Sequence, residues 1–422
     1  MSIQKQKSQI SILKDKQITY LSMLIPQNMK EEVRQNSKHY MMDAANALEW
    51  NIYNGLIANT RKKIRIVNLL PVGSYPQYYK KAFIGKNEFS AGACKNHLNV
   101  GFCNIKLIRK FSIHLFVYRA LDAYYRDKKD PGVLIVYSAE TVLLWAVSML
   151  KKKYPSLIVC DIIADLPDMS NLSGRKSFAL RMLERYLSSK SYECMQAVDC
   201  FVLLTEHMAE YMNIHKPYVV MEGISTQSHP EDGRTVRKDR REINILYSGT
   251  LHRRFGILHL LKAFMLTKNR NYRLVICGVG DSEAEIIEAA GQDSRIVFHG
   301  QLTREEVLQI QKDADVLVNP RQNIEEFTKY SFPSKNLEYL SAGKPVIAYK
   351  LDGIPDEYDE YLHYPANDSI EALSKKIMEI CEMDADRRRT LGDKARNFVR
   401  DQKNAVVQTS RIVKLISDVV KG

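Results

Sequence analysis

The sequence lacks the features that define several large classes of protein. Its seven cysteines are dispersed, and no two of them stand in a CxxC spacing. This pattern argues against a disulfide scaffold and a cysteine zinc site, and it predicts reduced thiols in the cytoplasm. The first 16 residues are polar and basic, and no run approaches the roughly 20 apolar residues that cross a bilayer. We therefore expect a cytoplasmic protein whose only membrane contact is peripheral, on the inner face.

The unusual quantity in the composition is an excess of positive charge. Lys and Arg number 62 against 49 Asp and Glu, which gives a formal net charge of +13, whereas the 45% of hydrophobic residues is ordinary for a globular chain. Such an excess implies an anionic partner: a nucleic acid, an anionic membrane surface or a phosphorylated substrate. We expect no nucleic acid, because the sequence contains no aromatic–basic stacking module and no recognition helix.

A basic segment of the first half, residues 173–190, is the sequence candidate for a membrane contact. Its sequence SGRKSFALRMLERYLSSK mixes Arg and Lys with apolar residues at mixed helical spacing. A basic amphipathic helix of this kind can lie on an anionic membrane. The same pattern also describes a helix that packs on a core and exposes a solvated basic face, and both interpretations stay open.

Apolar, β-branched runs alternate with helical segments and predict two series of parallel strands. Apolar runs without alternation are typical of strands buried on both faces of a doubly wound sheet. The first series covers residues 18–25, 64–70, 132–137, 157–163, 200–204 and 218–221, and the second covers 243–248, 272–277, 295–299, 316–319 and 345–349. The polar residues 223–241 between the series predict a hinge. We expect an α/β protein of two Rossmann-like domains with a ligand cleft between them.

Two glycine turns, each between a predicted strand and a predicted helix, are candidates for ligand binding. The first reads YSGTLHRRFG over residues 247–256, where backbone N–H groups can approach an anion and Arg253 and Arg254 can pair with phosphate oxygens. A plain turn with two solvated arginines fits these residues equally well. The second reads GVGD over residues 278–281 and resembles half of a dinucleotide fingerprint. A tight turn with Asp281 as a helix N-cap is its favoured interpretation.

The strongest candidate segment covers residues 325–340 and follows the predicted strand 316–319. Its sequence EEFTKYSFPSKNLEYL places hydroxyls and a proline turn before a helix that begins near Ser334. The N-terminus of such a helix offers free N–H groups and the positive end of its dipole to a diphosphate. Glu338, one turn further on, suits the hydrogen bonds of a ribose diol. The alternative is Ser334 as an N-cap and Glu338 as a solvated residue.

In the first half, Asp161, Asp165 and Asp168 lie at what we expect to be the carboxyl end of a strand. Ligands bind at this end in open α/β sheets. The acids can hold an acceptor hydroxyl or act as a base. Capping of a loop is the other interpretation.

The run FTKYSFPSKNLEYLSAGKPV (residues 327–346), preceded by YSGTLHRRFGILHLL and GVGD, resembles the donor-binding half of retaining GT-B glycosyltransferases. This large group uses nucleotide sugars, and many of its members build surface polysaccharides. The resemblance covers residues 243–400 in motif order and spacing and is weaker in the first half. It implies an acceptor-binding domain (1–222), a hinge (223–241), a donor-binding domain (242–400) and a final helix (401–422) that packs back on the first domain.

The resemblance also implies roles for particular residues. Glu338 would hold the ribose, and Arg253, Arg254 and Lys335 would stabilise the departing diphosphate. We expect catalytic roles for Asp165, Arg254 and Lys335. We expect donor binding by Gly249, Thr250, Arg253, Gly278, Gly280, Gly300, Gln301, Thr328, Tyr330, Ser331, Phe332, Pro333, Ser334 and Glu338.

Neither a metal nor a cofactor is expected, because cationic side chains and a helix dipole neutralise the diphosphate in this group. The DxD-like residues 313–315 and 384–386 fall in helical contexts and read as surface acids. Three departures from the group fall in the donor-binding half. Tyr330 stands where many members have a glutamate, and Thr250 and Phe255 stand where many have an arginine and a lysine.

We therefore expect a glycosyltransferase that moves a sugar from a nucleoside diphosphate sugar to a hydroxyl of a glycan or lipid-linked acceptor. The resemblance implies retention and a place in surface polysaccharide synthesis. The first alternative is a non-catalytic relative that binds a partner glycosyltransferase or a glycan, which the three departures favour. The second is a nicotinamide- or flavin-dependent oxidoreductase, although neither half has a complete GxGxxG fingerprint.

Overall fold

The structure of the chain, a computed structural model, describes residues 13, 15–38, 43–92, 94–166, 182, 189–225, 242–324 and 326–422. Contacts divide the chain into a first unit, Met1–Ile224 with Ala405–Gly422, and a second unit, Ser225–Asn404. Most of the predicted hinge, nearly all of the basic segment 173–190 and the candidate Asp168 lie outside the described residues.

The first unit is built on a sheet whose described strands have the order β10-β9-β8-β7-β1-β2-β5-β4. Neighbouring strands are parallel except for the antiparallel pair β4 and β5. A separate antiparallel pair joins β3 to β6. The strands are β1 Ile18–Ser22, β2 Arg65–Asn68, β3 Phe83–Ile84, β4 Asn87–Ala91, β5 Cys94–Asn99, β6 Phe102–Cys103, β7 Val133–Tyr137, β8 Ile158–Ile163, β9 Cys200–Leu203 and β10 Tyr218–Val220.

The second unit is built on a sheet whose described strands are all parallel, in the order β13-β12-β11-β14-β15-β16. The chain adds strands in one direction from β11 to β13 and then in the other direction from β14 to β16. The strand order therefore reverses between β11 and β14. These strands are β11 Ile243–Ser248, β12 Tyr272–Cys277, β13 Ile296–Phe298, β14 Val316–Asn319, β15 Val346–Ala348 and β16 Leu362–His363.

Helices connect the strands in both units, as expected for a doubly wound fold. In the first unit they are α1 Lys30–Asn36, α2 Asp43–Thr60, α3 Lys106–Tyr125, α4 Thr141–Lys153 and α5 Glu206–Tyr211. In the second unit they are α6 Ile257–Leu266, α7 Glu283–Gln292, α8 Arg304–Asp313, α9 Ser334–Ser341, α10 Ile370–Glu382 and α11 Ala385–Gln402. The last helix, α12 Ala405–Lys421, belongs to the first unit. Over the described residues, each helix is too short or too polar to traverse a bilayer.

The strand predictions are confirmed wherever an apolar run is long and β-branched. The bounds of β11, β12 and β14 match the predicted residues 243–248, 272–277 and 316–319. The sequence missed β3 to β6 and β16, because these strands are short or expose polar side chains, as in the NEFSA of β4. Cys160 and Cys277 lie buried in strands, and all seven cysteines are free thiols.

The last helix packs against α2 through a close backbone contact. A Cβ on Gly55 would overlap the carbonyl oxygen of Ala405 at the start of α12. Next to this contact, the Asn59 amide donates to the Thr409 hydroxyl at 2.9 Å and to the Val406 carbonyl at 2.8 Å. The absence of a side chain at residue 55 therefore sets the distance between the two helices.

We expect Gly55→Ala to lower the free energy of unfolding by about 1–3 kcal/mol, because the new methyl group must separate α2 from α12. The measurement is the urea midpoint of the full chain. Gly291→Ala in α7 is the matched control, since a Cβ there meets nothing within 4 Å and should stabilise its helix by about 0.5–1 kcal/mol. Equal midpoints for the two variants would contradict this packing.

Candidate functional site

The candidate site lies in the second unit, where the strand order reverses between β11 and β14. In open α/β sheets, ligands bind outside the carboxyl ends of the strands at such a switch point. The loop after β11 contains Gly249 and ends at Gly256, where α6 begins. The segment after β14 passes through a 3-10 helix over residues 326–330 and leads into α9.

Three of the predicted donor-binding glycines join consecutive loops at this edge of the sheet. The N–H of Gly249 donates to the Cys277 carbonyl at 2.8 Å, and the N–H of Gly278 donates to the Gly300 carbonyl at 2.7 Å. A Cβ on Gly278 would overlap the carbonyl oxygen of Gly249. The φ angles of Gly249, Gly278 and Gly300 are +149°, +139° and +65°, all favoured by glycine. The loops after β11, β12 and β13 are therefore packed backbone to backbone.

Asp281 fixes the loop after β11 rather than capping a helix. The predicted N-cap role is wrong, since α7 begins at Glu283 and Ser282 occupies the N-cap position. The Asp281 carboxylate accepts the N–H of Arg253 at 2.9 Å and lies 3.1 Å from Nδ1 of His252. Its side chain therefore ties together the two glycine turns that the sequence singled out.

Lys335 reaches from the first turn of α9 to the end of β11. Its Nζ donates to the Ser248 carbonyl at 2.6 Å and lies 5.4 Å from the centroid of the Tyr247 ring. A Cβ on Gly249 would occupy the position of this ammonium group. Burial lowers the pKa of Lys335, and the nearby Glu338 partly opposes that change. A cationic side chain therefore lies at the switch point, in space that is open because residue 249 has no side chain.

Glu338 is held in place by a side chain from α8. Gln311 Nε2 donates to Oε1 of Glu338 at 2.6 Å and to Oγ of Ser248 at 3.2 Å. The Ser248 N–H also donates to the buried hydroxyl of Tyr339 at 2.8 Å. One carboxylate oxygen of Glu338 is therefore oriented by the protein, as a group that receives hydrogen bonds from a ligand requires.

The N-terminus of α9, like that of α6, differs from those of the side-chain-capped helices of this unit. Among the described residues, no side chain caps it, Pro333 occupies the N-cap position and the first turn contains no acid. By contrast, α8, α10 and α11 are capped by the side chains of Thr303, Ser369 and Asp384. The positive end of the α9 dipole is thus left for another anion, in line with the prediction of a helix start near Ser334.

Two arginines and two phenylalanines form a cationic cluster beside this helix. The Arg254 guanidinium lies 5.0 Å from the Phe255 ring centroid and 5.7 Å from that of Phe327. Arg321 lies 5.6 Å and 4.7 Å from the same rings and donates to Oγ of Ser331 at 2.9 Å. The sequence missed Arg321, although it is the first charged residue after β14. The guanidinium of Arg253 instead pairs with Glu285.

The remaining predicted donor residues support the loops or lie at their surface. Thr328 is buried and donates to Oδ1 of Asn323 at 2.6 Å. Tyr330 and Phe332 are also buried, and the Phe332 ring centroid lies 5.2 Å from that of Tyr358. The carbonyl of Thr250 accepts the Tyr247 hydroxyl at 2.7 Å. Pro333 is buried and Ser331 half-buried, Gly280 packs on the Leu251 backbone, and Ser334 and Gln301 are exposed.

The acids of the first unit differ from expectation in one respect. Asp161 lies within β8, paired between Val136 and Phe201, and not at the carboxyl end of the strand. It is fully buried, and burial raises its pKa to about 8. Asp165 does follow the end of β8, and removal from water raises the pKa of its carboxyl group. Asp165 therefore remains the candidate from this segment.

No three His, Cys, Asp or Glu side chains in the described part of the chain lie close enough together to hold a metal ion. Asp384 caps α11, and Asp315 accepts the N–H of Asn244 at 2.8 Å. One acid of each DxD-like run thus has a structural role. Independence from metals stays a prediction.

Residues 229–398 match the model of the family described as glycosyl transferases group 1. No curated protein sequence is similar enough to this chain to match it. The matched range contains β11 to β16 and α6 to α10, and so includes the whole of the candidate site.

Solved structures with the same architecture extend the likeness to both units. Sucrose-phosphate synthase from Thermosynechococcus elongatus has a TM-score of 0.64 and 16% identity over 94% of this chain and 97% of its own. The catalytic domain of starch synthase IV from Arabidopsis thaliana, bound to ADP and acarbose, has a TM-score of 0.60 and 8% identity over 96% of this chain and 100% of its own. A trehalose-6-phosphate structure from E. coli, bound with UDP-2-fluoro glucose, has a TM-score of 0.61 and 10% identity over 96% of this chain and 99% of its own.

The fold is that of the GT-B glycosyltransferases. The match of residues 229–398 confirms the resemblance found in the sequence, and through that domain the protein is a glycosyltransferase. Retention, the acceptor and the biological context stay predictions.

We expect Gly278→Ala to destabilise the second unit more than Gly300→Ala does. Both substitutions place a side chain in a left-handed backbone, at a cost of about 1–2 kcal/mol each. Only the methyl group at residue 278 also overlaps a backbone carbonyl, which should add about 1–3 kcal/mol, whereas nothing lies within 4 Å of a Cβ at residue 300. Urea unfolding of both variants measures the difference, and equal stabilities would disprove the close packing of the loops.

Proposed function

We propose that the protein transfers a sugar, with retention, from a nucleoside diphosphate sugar bound at the switch point between β11 and β14. The observation on which this proposal depends is the uncapped N-terminus of α9, with Lys335 bonded to Ser248 and Glu338 linked to the same serine through Gln311. These groups lie inside the glycosyl transferases group 1 domain. The similar structures from Arabidopsis thaliana and E. coli contain ADP and UDP-2-fluoro glucose, which supports a nucleotide as the ligand.

The diphosphate is the part of the donor that the cationic groups would bind. The N–H groups of the first turn of α9 and the ammonium of Lys335 present positive charge at one point. Departure of the diphosphate leaves negative charge on its oxygens, and fixed positive groups stabilise that charge without reorganisation. Arg254 and Arg321 lie beside the same segment and would add to this field. The protein would therefore perform the reaction without a metal.

The ribose is the part of the donor that Glu338 would recognise. Gln311 donates a hydrogen bond to Oε1 of Glu338 and so sets the orientation of the carboxylate. A carboxylate accepts two hydrogen bonds from a vicinal diol, and such charge-assisted bonds are stronger than neutral ones. An acid at this distance from the helix start binds the sugar ring of the nucleotide rather than its phosphates.

The acceptor would be a hydroxyl of a glycan or of a lipid-linked sugar, bound by the first unit. Asp165 at the end of β8 is our candidate to hold that hydroxyl. The positive net charge supports a peripheral position on the inner face of an anionic membrane, where lipid-linked intermediates of surface polysaccharides are made. These finer assignments rest on the sequence resemblance.

Glu338→Ala should weaken the binding of the donor at least about tenfold, because two charge-assisted hydrogen bonds to the ribose are lost. Isothermal titration calorimetry with UDP-glucose and ADP-glucose measures the affinity. Glu305→Ala is the control, since Glu305 is an exposed carboxylate on α8 outside the site. Unchanged affinity in Glu338→Ala would remove Glu338 from the donor site.

The affinity for the donor should fall as the pH rises through the alkaline range. Burial holds the pKa of Lys335 below its ordinary value of 10.5. A bound diphosphate stabilises the protonated ammonium, so binding raises this pKa and is strongest at pH values below it. Titration of the affinity from pH 7 to pH 10 measures the effect.

Lys335→Met should bind the donor weakly and lose this pH dependence, because the titrating charge is gone. Lys262→Met changes an exposed lysine of α6 and should keep the wild-type profile. A wild-type profile in Lys335→Met would show that another group binds the diphosphate.

A further inference from the structure

A large apolar cavity in the first unit is not used by the proposed function. Its volume is about 970 Å³, at the upper end of the roughly 300–1,000 Å³ that ligand pockets occupy. The walls come from the C-terminal half of α3 and from the strands β3, β5 and β6, with Leu98, Val100, Phe102 and Ala120 among the lining residues. None of the candidate site residues lines it.

The mouth of the cavity exposes aromatic side chains that a folded protein ordinarily covers. Phe83 is 69% exposed and Phe116 is 40% exposed, and both line the cavity. Contact of these rings with water is unfavourable by about 25 cal/mol for each Å² of apolar area. Binding of an apolar ligand would remove that cost.

The rim of the cavity is positively charged. Arg65, Lys86, Arg119 and Lys128 line it, against the single acid Asp127. The guanidinium of Arg65 and the ammonium of Lys128 lie 4.6 Å and 4.8 Å from the ring centroid of Tyr124. Two of these four cations therefore lie beside one aromatic ring.

A second, polar pocket shares Tyr124 with the apolar cavity. Its volume is about 230 Å³, and Lys16, Lys62, Lys63 and Asp15 line it together with Tyr124. The Lys16 ammonium is 2.6 Å from a carboxylate oxygen of Asp130, which leaves Lys62 and Lys63 against Asp15, an excess of one positive charge. The apolar cavity and a pocket lined by lysines therefore adjoin the same tyrosine.

From the apolar cavity, its cations and the neighbouring lysine pocket, we propose that the first unit binds one amphiphilic molecule with a hydrocarbon chain and a phosphate headgroup. The chain lies in the apolar cavity between α3 and β5, and the headgroup lies near Tyr124 among the cations of the rim and of the lysine pocket. Neither a free phosphate nor a neutral amphiphile would both fill the apolar cavity and pair with the cations. The inference depends on the first unit alone and does not require the proposed donor site.

Calorimetric titration of the full chain below the micellar concentration tests the proposal. The probes are decyl phosphate, decyl maltoside with the same chain and an uncharged head, and inorganic phosphate as the head alone. Decyl phosphate should bind more tightly than either. Shortening the chain to octyl phosphate should weaken binding by about fourfold for each methylene removed, because each buried methylene contributes a fixed increment.

Two variants locate the ligand. Ala123→Trp adds a ring at an exposed helix position that lines the cavity, and it should abolish binding of decyl phosphate without changing the thermal midpoint. Lys128→Gln removes one rim cation and should weaken binding of decyl phosphate about fivefold. Lys129→Gln alters the neighbouring exposed lysine outside the cavity and should bind as the wild type does.

Equal binding of decyl phosphate and decyl maltoside would overturn the assignment of the phosphate headgroup. Equal binding of decyl phosphate and inorganic phosphate would overturn the assignment of the hydrocarbon chain. Wild-type affinity in Ala123→Trp would place any bound amphiphile outside this cavity. Because the affinity for UDP-glucose is measured separately, failure of this proposal and failure of the donor site are distinguishable.

Discussion

The hydrogen bond from the Lys335 ammonium to the Ser248 carbonyl is the interaction on which the organisation of the donor side depends. It joins the first turn of α9 to the last residue of β11 across the point where the strand order reverses. It exists because Gly249 has no side chain where the ammonium lies. The same serine binds Tyr339 and Gln311, so one residue orients both a cation and, through Gln311, the carboxylate of Glu338.

This arrangement places opposite charges on one short helix in an order that fits a nucleotide. Positive charge lies at the start of α9, where no side chain caps the helix, and the carboxylate of Glu338 follows one turn later. A diphosphate carries negative charge next to a ribose that donates hydrogen bonds. The helix therefore matches the polarity of the proposed ligand along its axis, while the packed glycine loops keep bulky side chains away from the same edge.

The sequence predicted most of this sheet, since buried parallel strands leave long apolar runs, as in β11, β12 and β14. It also located α9 and the glycine turns, because glycine and proline mark such positions. It could not predict Gln311, whose partners Ser248 and Glu338 lie 63 and 27 residues away in the chain. It misplaced Asp161 for a physical reason. Burying a carboxylate inside a strand is unfavourable, so an acid in an apolar run predicts the end of the strand.

The measurement that tests the central claim most directly is a crystal structure of the protein with bound UDP or ADP. The account predicts that the diphosphate contacts the N-terminus of α9 and the Lys335 ammonium, with the ribose hydroxyls at the Glu338 carboxylate. A nucleotide bound elsewhere on the chain, or with its ribose remote from Glu338, would contradict it.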